Sequence, residues 1–121
     1  MMQKGGEMKD CIFCKIVNNE IPSEKVYEDK NILAFEDINP KAPVHILIIP
    51  KQHFASLNEI PEDKKEIIGD LMLTAKKIAA KKKIDKKGYR IVLNTGKNSG
   101  QEVAHIHFHL LGGRMMTWPP G

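Results

Sequence analysis

A chain of 121 residues and 13.7 kDa has room for one hydrophobic core and not for a second of useful size. With 41% hydrophobic and 28% charged residues it lies in the ordinary globular range, which excludes a disordered, collagenous or coiled-coil chain. Its 19 Lys+Arg against 15 Asp+Glu leave a net charge of +4, and its longest aliphatic run, Ile46 to Ile49, falls far short of the roughly 20 apolar residues that a membrane span needs.

Residues 1–9 carry no apolar stretch behind Lys4, so a flexible extension is expected there in place of a secretory signal, and a cytoplasmic address follows. Residues 10–121 are expected to form a single domain. Behind Asp10 as N-cap, Ile12, Phe13, Ile16 and Val17 recur at helical spacing, and the stretch from Asn18 to Pro22 stops this short helix. It carries Cys11 and Cys14, which are too close in sequence to staple distant segments and are read as thiols. Lys25 to Glu28 and Asn31 to Glu36 read as strands joined by a tight turn at Asp29-Lys30. Asp37 to Pro43 is a loop, because both prolines resist pairing and push the residues before them to extended shapes.

Val44 to Ile49 is a β-rich strand closed by Pro50, with His53 at its exit. From Pro61, the positions Ile67, Ile68, Leu71, Met72, Ala75, Ile78 and Ala79 form an apolar stripe, predicting one long helix that ends near Gly88. Lys76, Lys77, Lys81, Lys82, Lys83, Lys86 and Lys87 crowd its far end and exit. No aromatic or Arg residue interleaves with them, so they read as a solvated face and a nucleic-acid partner is not expected. Tyr89 to Leu93 and Val103 to Leu111 complete the strands, around a wide loop containing Gly96 and Gly100. The expected fold class is α+β: about five mainly antiparallel strands, one long helix and a short N-terminal helix.

His105, His107 and His109 alternate with Ile106, Phe108 and Leu110, so a continuous strand would set three imidazoles on one face. An ordinary solvent face draws Lys, Thr, Glu or Ser, not the same titratable ring three times. Imidazole titrates near neutrality, and three of them supply a nucleophile, a proton carrier and an orienting partner, or metal ligands. Attack at a carbonyl or at a phosphoryl centre remains open on this ground. The loop Ser99-Gly100-Gln101 favours phosphate, since a glycine-containing loop can turn backbone N–H groups toward an anion. Cys11 and Cys14, with His53 and one histidine of the row, form a Cys₂His₂ set suited to tetrahedral zinc. Taken alone, Asp37 reads equally as a turn residue, Phe13, Phe35 and Ile38 as core, His45 as a hydrogen-bonded core histidine, and Trp118 as a tail packed on its own domain.

His105-Ile106-His107-Phe108-His109-Leu110-Leu111 has the pattern His-φ-His-φ-His-φ-φ, where φ is apolar. With Phe35 to Pro40, Ala42 to His45, Ile49 to His53, Gly100 to Val103, Gly112-Gly113-Arg114 and the ending Trp118 to Gly121, it resembles the histidine triad (HIT) superfamily and its nucleotide-binding Hint branch. The resemblance runs from about Asp10 to the last residue. It implies a HIT-like fold, a homodimer, and a purine nucleoside phosphoramidase that cleaves the P–N bond of adenosine 5′-phosphoramidates, with AMP-like purine nucleotides as ligands. It implies His107 as a nucleophile that forms a nucleotidyl-histidine resolved by water, His109 beside the α-phosphate, and His105 and His45 supporting the central ring.

By the same resemblance Asp37 holds the ribose hydroxyls, and Ile12, Phe13, Ile16, Phe35 and Ile38 form an apolar slot for the base. Asn94 and the backbone of Gly100, Gln101 and Glu102 hold the phosphate side, and Trp118 reaches the partner's active site. No organic cofactor is implied. In members that bind zinc through cysteines here, the ligands map to Cys11, Cys14, His53 and His105, and structural zinc is expected on that basis. Glu102 departs from animal members, which often carry there a serine assigned to protonating the leaving amine. Two alternatives stand beside this reading: an AMP-binding or regulatory interaction module with little turnover, and a dinucleoside polyphosphate hydrolase or nucleotidyl transferase. Relatives of the latter kind often carry a glutamine where this chain has Phe108, or lack the Trp118-Pro119-Pro120-Gly121 ending.

Overall fold

The computed structural model describes residues 10–121, so the extension expected at residues 1–9 lies outside the described residues. Helix α1 (Ile12–Val17) precedes strands β1 (Lys25–Glu28), β2 (Ile32–Glu36) and β3 (Val44–Pro50); helix α2 (Glu66–Lys81) and strands β4 (Tyr89–Leu93) and β5 (Phe108–Gly112) follow. The strands form one sheet in the order β1-β2-β3-β5-β4, and each pairing is antiparallel.

The apolar runs in β2 and β3 are nearly continuous because both faces of the sheet are covered, and the two-residue period sorts them. Ile32, Ala34, Ile46, Ile48, Phe108 and Leu110 pack on one face against Leu71, Ala75, Ile78 and Ala79 of α2. Leu33, Phe35, Leu47 and Ile49 pack on the other against Cys11, Phe13, Cys14 and Ile16 around α1. Burying each large aliphatic side chain here contributes roughly 1.5–3 kcal/mol, and α2 supplies four buried positions from the expected stripe. The lysines at its far end are exposed, as expected. Lys82 meets Glu36 at 3.3 Å, and Lys77 lies over the Tyr27 ring at 5.8 Å. Among the described residues no helix is long and apolar enough to cross a membrane.

Beyond one-residue shifts at the ends of β2, β3 and β5, four boundaries differ from the sequence expectation. The cap of α1 is Cys11, not Asp10: its Sγ accepts the Cys14 N–H at 3.2 Å, as an N-cap oxygen would. Pro61 precedes a short 3₁₀ turn, Glu62–Lys64, and the α-helix itself opens only at Glu66. It also closes well before Gly88. Lys83 adopts a left-handed φ of 62°, and the Ile84 N–H returns to the Ala79 carbonyl at 3.0 Å, which turns the chain out of the helix. Strand β5 starts at Phe108 and not at Val103: the pairings with β4 and with β3 both end there, at Leu93 and Ile48.

Candidate functional site

The short β5 changes the meaning of the histidine row. His105 N–H bonds the Val103 carbonyl at 2.9 Å and Ile106 N–H bonds the Phe54 carbonyl at 2.7 Å, so residues 105–107 have left the ladder. Only His109 stands on the strand, and the expected single row of three imidazoles divides. His105 turns toward the cysteines of α1. His107 and His109 share a cleft, their ring centroids 4.9 Å apart.

Backbone carbonyls decide what two of these rings can do, because a carbonyl oxygen only accepts. His105 Nε2 lies 2.9 Å from the Pro50 carbonyl, so its proton sits there and its Nδ1 lone pair faces the cysteines. His107 Nδ1 lies 2.8 Å from the His105 carbonyl, so the opposite nitrogen, Nε2, is left as the free lone pair. The edge of Phe13 packs on the His107 ring, centroids 5.0 Å apart, and holds its plane. One imidazole is therefore prepared as a metal ligand and its neighbour as a nucleophile or base.

The cleft measures about 340 Å³, enough for a small ligand such as a nucleotide, and Asp37, His45, Asn94, Glu102, His107 and His109 line it. His45 lies on β3 diagonally across from His109, and its Nε2 reaches His109 Nδ1 at 3.0 Å, so the ring it supports directly is the third histidine of the triad. Asp37 approaches the same Nε2 with Oδ2 at 3.3 Å, while its Oδ1 accepts the Asn39 N–H at 2.7 Å.

The loop containing Gly96 and Gly100 closes on itself. The N–H groups of Gly100 and Gln101 close on the carbonyls of Lys97 and Gly96, so they are taken up by the turn. Gly100 makes that turn possible with a φ of 89°, a conformation other L-residues rarely adopt. The Gln101 side chain braces the loop: Oε1 accepts the Gly96 N–H, and Nε2 donates to the carbonyls of Ala55 and Val103.

The five apolar residues expected around a base stand outside the cleft lining. Phe13, Ile16 and Phe35 are buried core on the α1 face, whereas Ile12 and Ile38 are exposed, Ile38 almost completely at 99%. Trp118 is exposed as well, at 82%. A second groove of about 810 Å³ between Lys83–Arg90 and Gly113–Met116 is larger but holds no imidazole or carboxylate. Its guanidiniums donate to backbone carbonyls, Arg90 to Thr117 and Arg114 to Lys41.

Burial holds the cleft histidines neutral. His109 is pushed down to about 4, first by burial, then by the neighbouring His107 and His45 rings, against the opposing charge of Asp37. His45 is lowered by burial and by Lys41, against Asp37 and Glu36. His107 is lowered by burial, with the His105 carbonyl and the charges of Asp37 and Glu102 pulling it back up. Because the folded value of His109 lies below its unfolded value of about 6.5, the unfolded chain takes up protons first as pH falls. The stabilisation is complete above about 6.5 and is lost as pH falls toward about 4. Between pH 7 and pH 5 the wild type is expected to lose roughly 1–2 kcal/mol more than His109→Gln, read by thermal melts at the two pH values.

Cys11, Cys14, His53 and His105 offer ligand atoms that all lie within 4.8 Å of one another. Their chemistry fits a tetrahedral divalent cation of the zinc type. His105 is pushed down to about 4 by burial and its lone pair is already turned inward. His53 Nδ1 faces it at 3.1 Å, an approach of two ring nitrogens that a shared cation satisfies. Burial pushes the Cys11 thiol up to about 11, and a bound cation supplies the positive charge that reverses this.

The sequence reading missed three groups: the Pro50 carbonyl, the Lys41 N–H, which donates to His45 Nδ1 at 3.0 Å, and the Gln101 side-chain brace. The first two are backbone atoms and leave no mark in residue type.

The HIT domain family profile matches residues 18–116. Over 112 residues the chain is 53% identical to a maize (Zea mays) protein named 14 kDa zinc-binding protein, covering 91% of this chain and 87% of the maize one. A solved HIT family hydrolase from Legionella pneumophila Philadelphia 1 superposes with a TM-score of 0.91 at 54% identity, over 93% of this chain and 100% of that one. A histidine triad nucleotide-binding protein from Candida albicans superposes with a TM-score of 0.78 at 39% identity, over 91% of this chain and 83% of that one. With its fold, its histidine cleft and this profile in agreement, the chain belongs to the HIT domain family.

Proposed function

We propose that this protein is a Hint-branch enzyme that hydrolyses the P–N bond of purine nucleoside 5′-phosphoramidates. One observation carries the reading: His107 donates Nδ1–H to the His105 carbonyl at 2.8 Å, which leaves a neutral, partly desolvated Nε2 lone pair in a ring that lines the cleft. Nε2 attacks phosphorus, the P–N bond breaks, and the leaving nitrogen takes a proton. Water then cleaves the P–Nε2 bond of the nucleotidyl-histidine, releasing the nucleoside monophosphate and restoring neutral His107. The charges of Asp37 and Glu102 favour the cationic ring of the intermediate. Glu102 also lines the cleft, and in this reading it relays a proton from water to the leaving nitrogen. Asp37 at the rim accepts the ribose hydroxyls through Oδ2, and Asn94 flanks the phosphate.

Cys11, Cys14, His53 and His105 would hold a structural zinc ion, whose chemistry is to tie α1 to the sheet behind the nucleophile. The Zea mays relative named as zinc-binding supports this assignment. Dimerisation is supported by β4, which ends the strand order among the described residues, and by the exposed Met72 and Leu73 of α2, at 44% and 59%. Gel filtration at two concentrations reads it, and an invariant monomer position contradicts it.

The activity assay offers the protein adenosine 5′-phosphoramidate and a diadenosine polyphosphate at equal concentration. The phosphoramidate is expected to turn over faster by about tenfold or more. AMP binding without any turnover would favour a sensor module, and faster polyphosphate cleavage would favour the other hydrolase branch.

A further inference from the structure

We infer that Arg114 is a positioning residue that braces the loop carrying Asp37, residues 37–43, and so sets the preference of the cleft for a ribonucleotide over a 2′-deoxyribonucleotide. The inference rests on the reading above in which Asp37 accepts the ribose hydroxyls. Asp37, Asn39 and Lys41 of this loop line the cleft. Ile38, Asn39, Pro40 and Lys41 are exposed in succession, so little apolar burial holds the middle of the loop and its position depends on hydrogen bonds. Two of these bonds come from β3: the Asp37 N–H donates to the His45 carbonyl at 3.0 Å, and the Lys41 N–H donates to His45 Nδ1 at 3.0 Å. A third is internal, from the Asn39 N–H to Asp37 Oδ1 at 2.7 Å.

The Lys41 carbonyl is held from beyond this hairpin, by the segment that follows β5. Arg114 Nη2 and Nε donate to it at 3.0 and 3.3 Å, while Nη1 donates to the Met115 carbonyl at 3.1 Å. The guanidinium is thus oriented by its own segment and closes its fork on one loop oxygen. It stays charged at any working pH, and bonds from a charged donor are stronger than neutral ones. Gly113 supports the same contact independently. Its φ is 91°, and a Cβ at this position would lie 2.8 Å from Pro43 Cβ, so the lack of a side chain lets the segment lie against the end of the loop. Arg90 of β4 ties the segment back to the sheet, its Nη2 donating to the Thr117 carbonyl at 2.8 Å. Arg114 lines the second groove and not the cleft, so its effect on a nucleotide runs through the loop. A site that bonds a hydroxyl penalises the analogue lacking it only while the bonding group is held in place. When the loop is loosened, Asp37 turns to water and that penalty shrinks.

The test measures, on the full chain, binding of AMP and 2′-deoxy-AMP by calorimetry and turnover of the two corresponding 5′-phosphoramidates. Wild type is expected to prefer the ribonucleotide by about tenfold, the worth of a hydrogen bond to a charged group. Arg114→Met keeps the stem and loses the donors. It is expected to cut that preference to about threefold or less, by weaker AMP binding and a higher KM for the ribonucleotide substrate, with kcat within about twofold of wild type. Arg114→Lys keeps a charged donor without the fork and is expected to fall between the two. Equal weakening of both nucleotides overturns the inference, because it reports general damage to the cleft. So does an unchanged preference in Arg114→Met, a loss carried by kcat alone, or Arg114→Lys no better than Arg114→Met. Should Arg114→Met fail to fold, Arg114→Lys decides: a lowered preference supports the brace and a wild-type preference overturns it. If Arg114→Met narrows the calorimetric preference and wild type turns over neither phosphoramidate, the brace stands and the proposed reaction falls. Wild-type turnover with no preference for ribose leaves the reaction standing and overturns the brace.

Discussion

His107→Ala is expected to lower kcat/KM for adenosine 5′-phosphoramidate by about 10⁴-fold or more while AMP affinity stays within a few fold of wild type. The size follows from what the substitution removes. Nε2 of His107 is the lone pair oriented by the His105 carbonyl, and alanine offers no nitrogen in its place. The groups proposed to bind the nucleotide remain, because Asp37, Asn94, Glu102 and His109 also line the cleft. Steady-state kinetics and AMP calorimetry on the same preparation check both halves. Retained turnover would mean that water attacks phosphorus directly, and equal loss of binding would mean that the ring serves the fold of the cleft.

The second large effect concerns stability. Cys11→Ser with Cys14→Ser is expected to lower Tm by about 10–20 °C and to abolish zinc retention. Serine is chosen because its hydroxyl can still cap α1, where the Cys11 Sγ accepts the Cys14 N–H at 3.2 Å. The cap is thereby kept while the thiolate ligands are lost, and the difference reports the metal. Zinc would join α1 to His53 beyond β3 and to His105 ahead of β5, segments otherwise held by the packing of Phe13 and Ile16 on the sheet. Elemental analysis of wild type purified without added metal should find about one zinc per chain. A metal-free wild type with the same Tm as the double variant would contradict the assignment.

The layers were legible because residue type and position agree. The apolar stripe of α2 names its buried face, the nearly continuous apolar runs of β2 and β3 suit strands covered on both sides, and β1 and β4 fall where their patterns place them. The Cys11 and Cys14 pair was legible from spacing, the full set with His53 and His105 followed from the family resemblance, and the structure brings the four ligand atoms together. The start of β5 was not. Alternation of histidine with apolar residues continues back to His105, but the pairings with β4 and β3 end at Phe108, and the Ile106 N–H goes to the Phe54 carbonyl instead. Hydrophobicity alone likewise does not separate Phe13, buried in the core, from Ile38, exposed in the loop after β2. The tautomers were beyond the sequence altogether. They are written by the Pro50 and His105 carbonyls and the Lys41 N–H, groups that every non-proline residue, or every residue, possesses.

The central claim is that the lone pair on His107 Nε2 takes the nucleotidyl group. Rapid mixing with adenosine 5′-phosphoramidate, an alkaline quench and peptide mass spectrometry test it directly. The account predicts an adenylyl group on His107 that decays as AMP appears. An adduct mapped to His105 or His109, or turnover at the full rate with no histidine adduct at any time point, would contradict it.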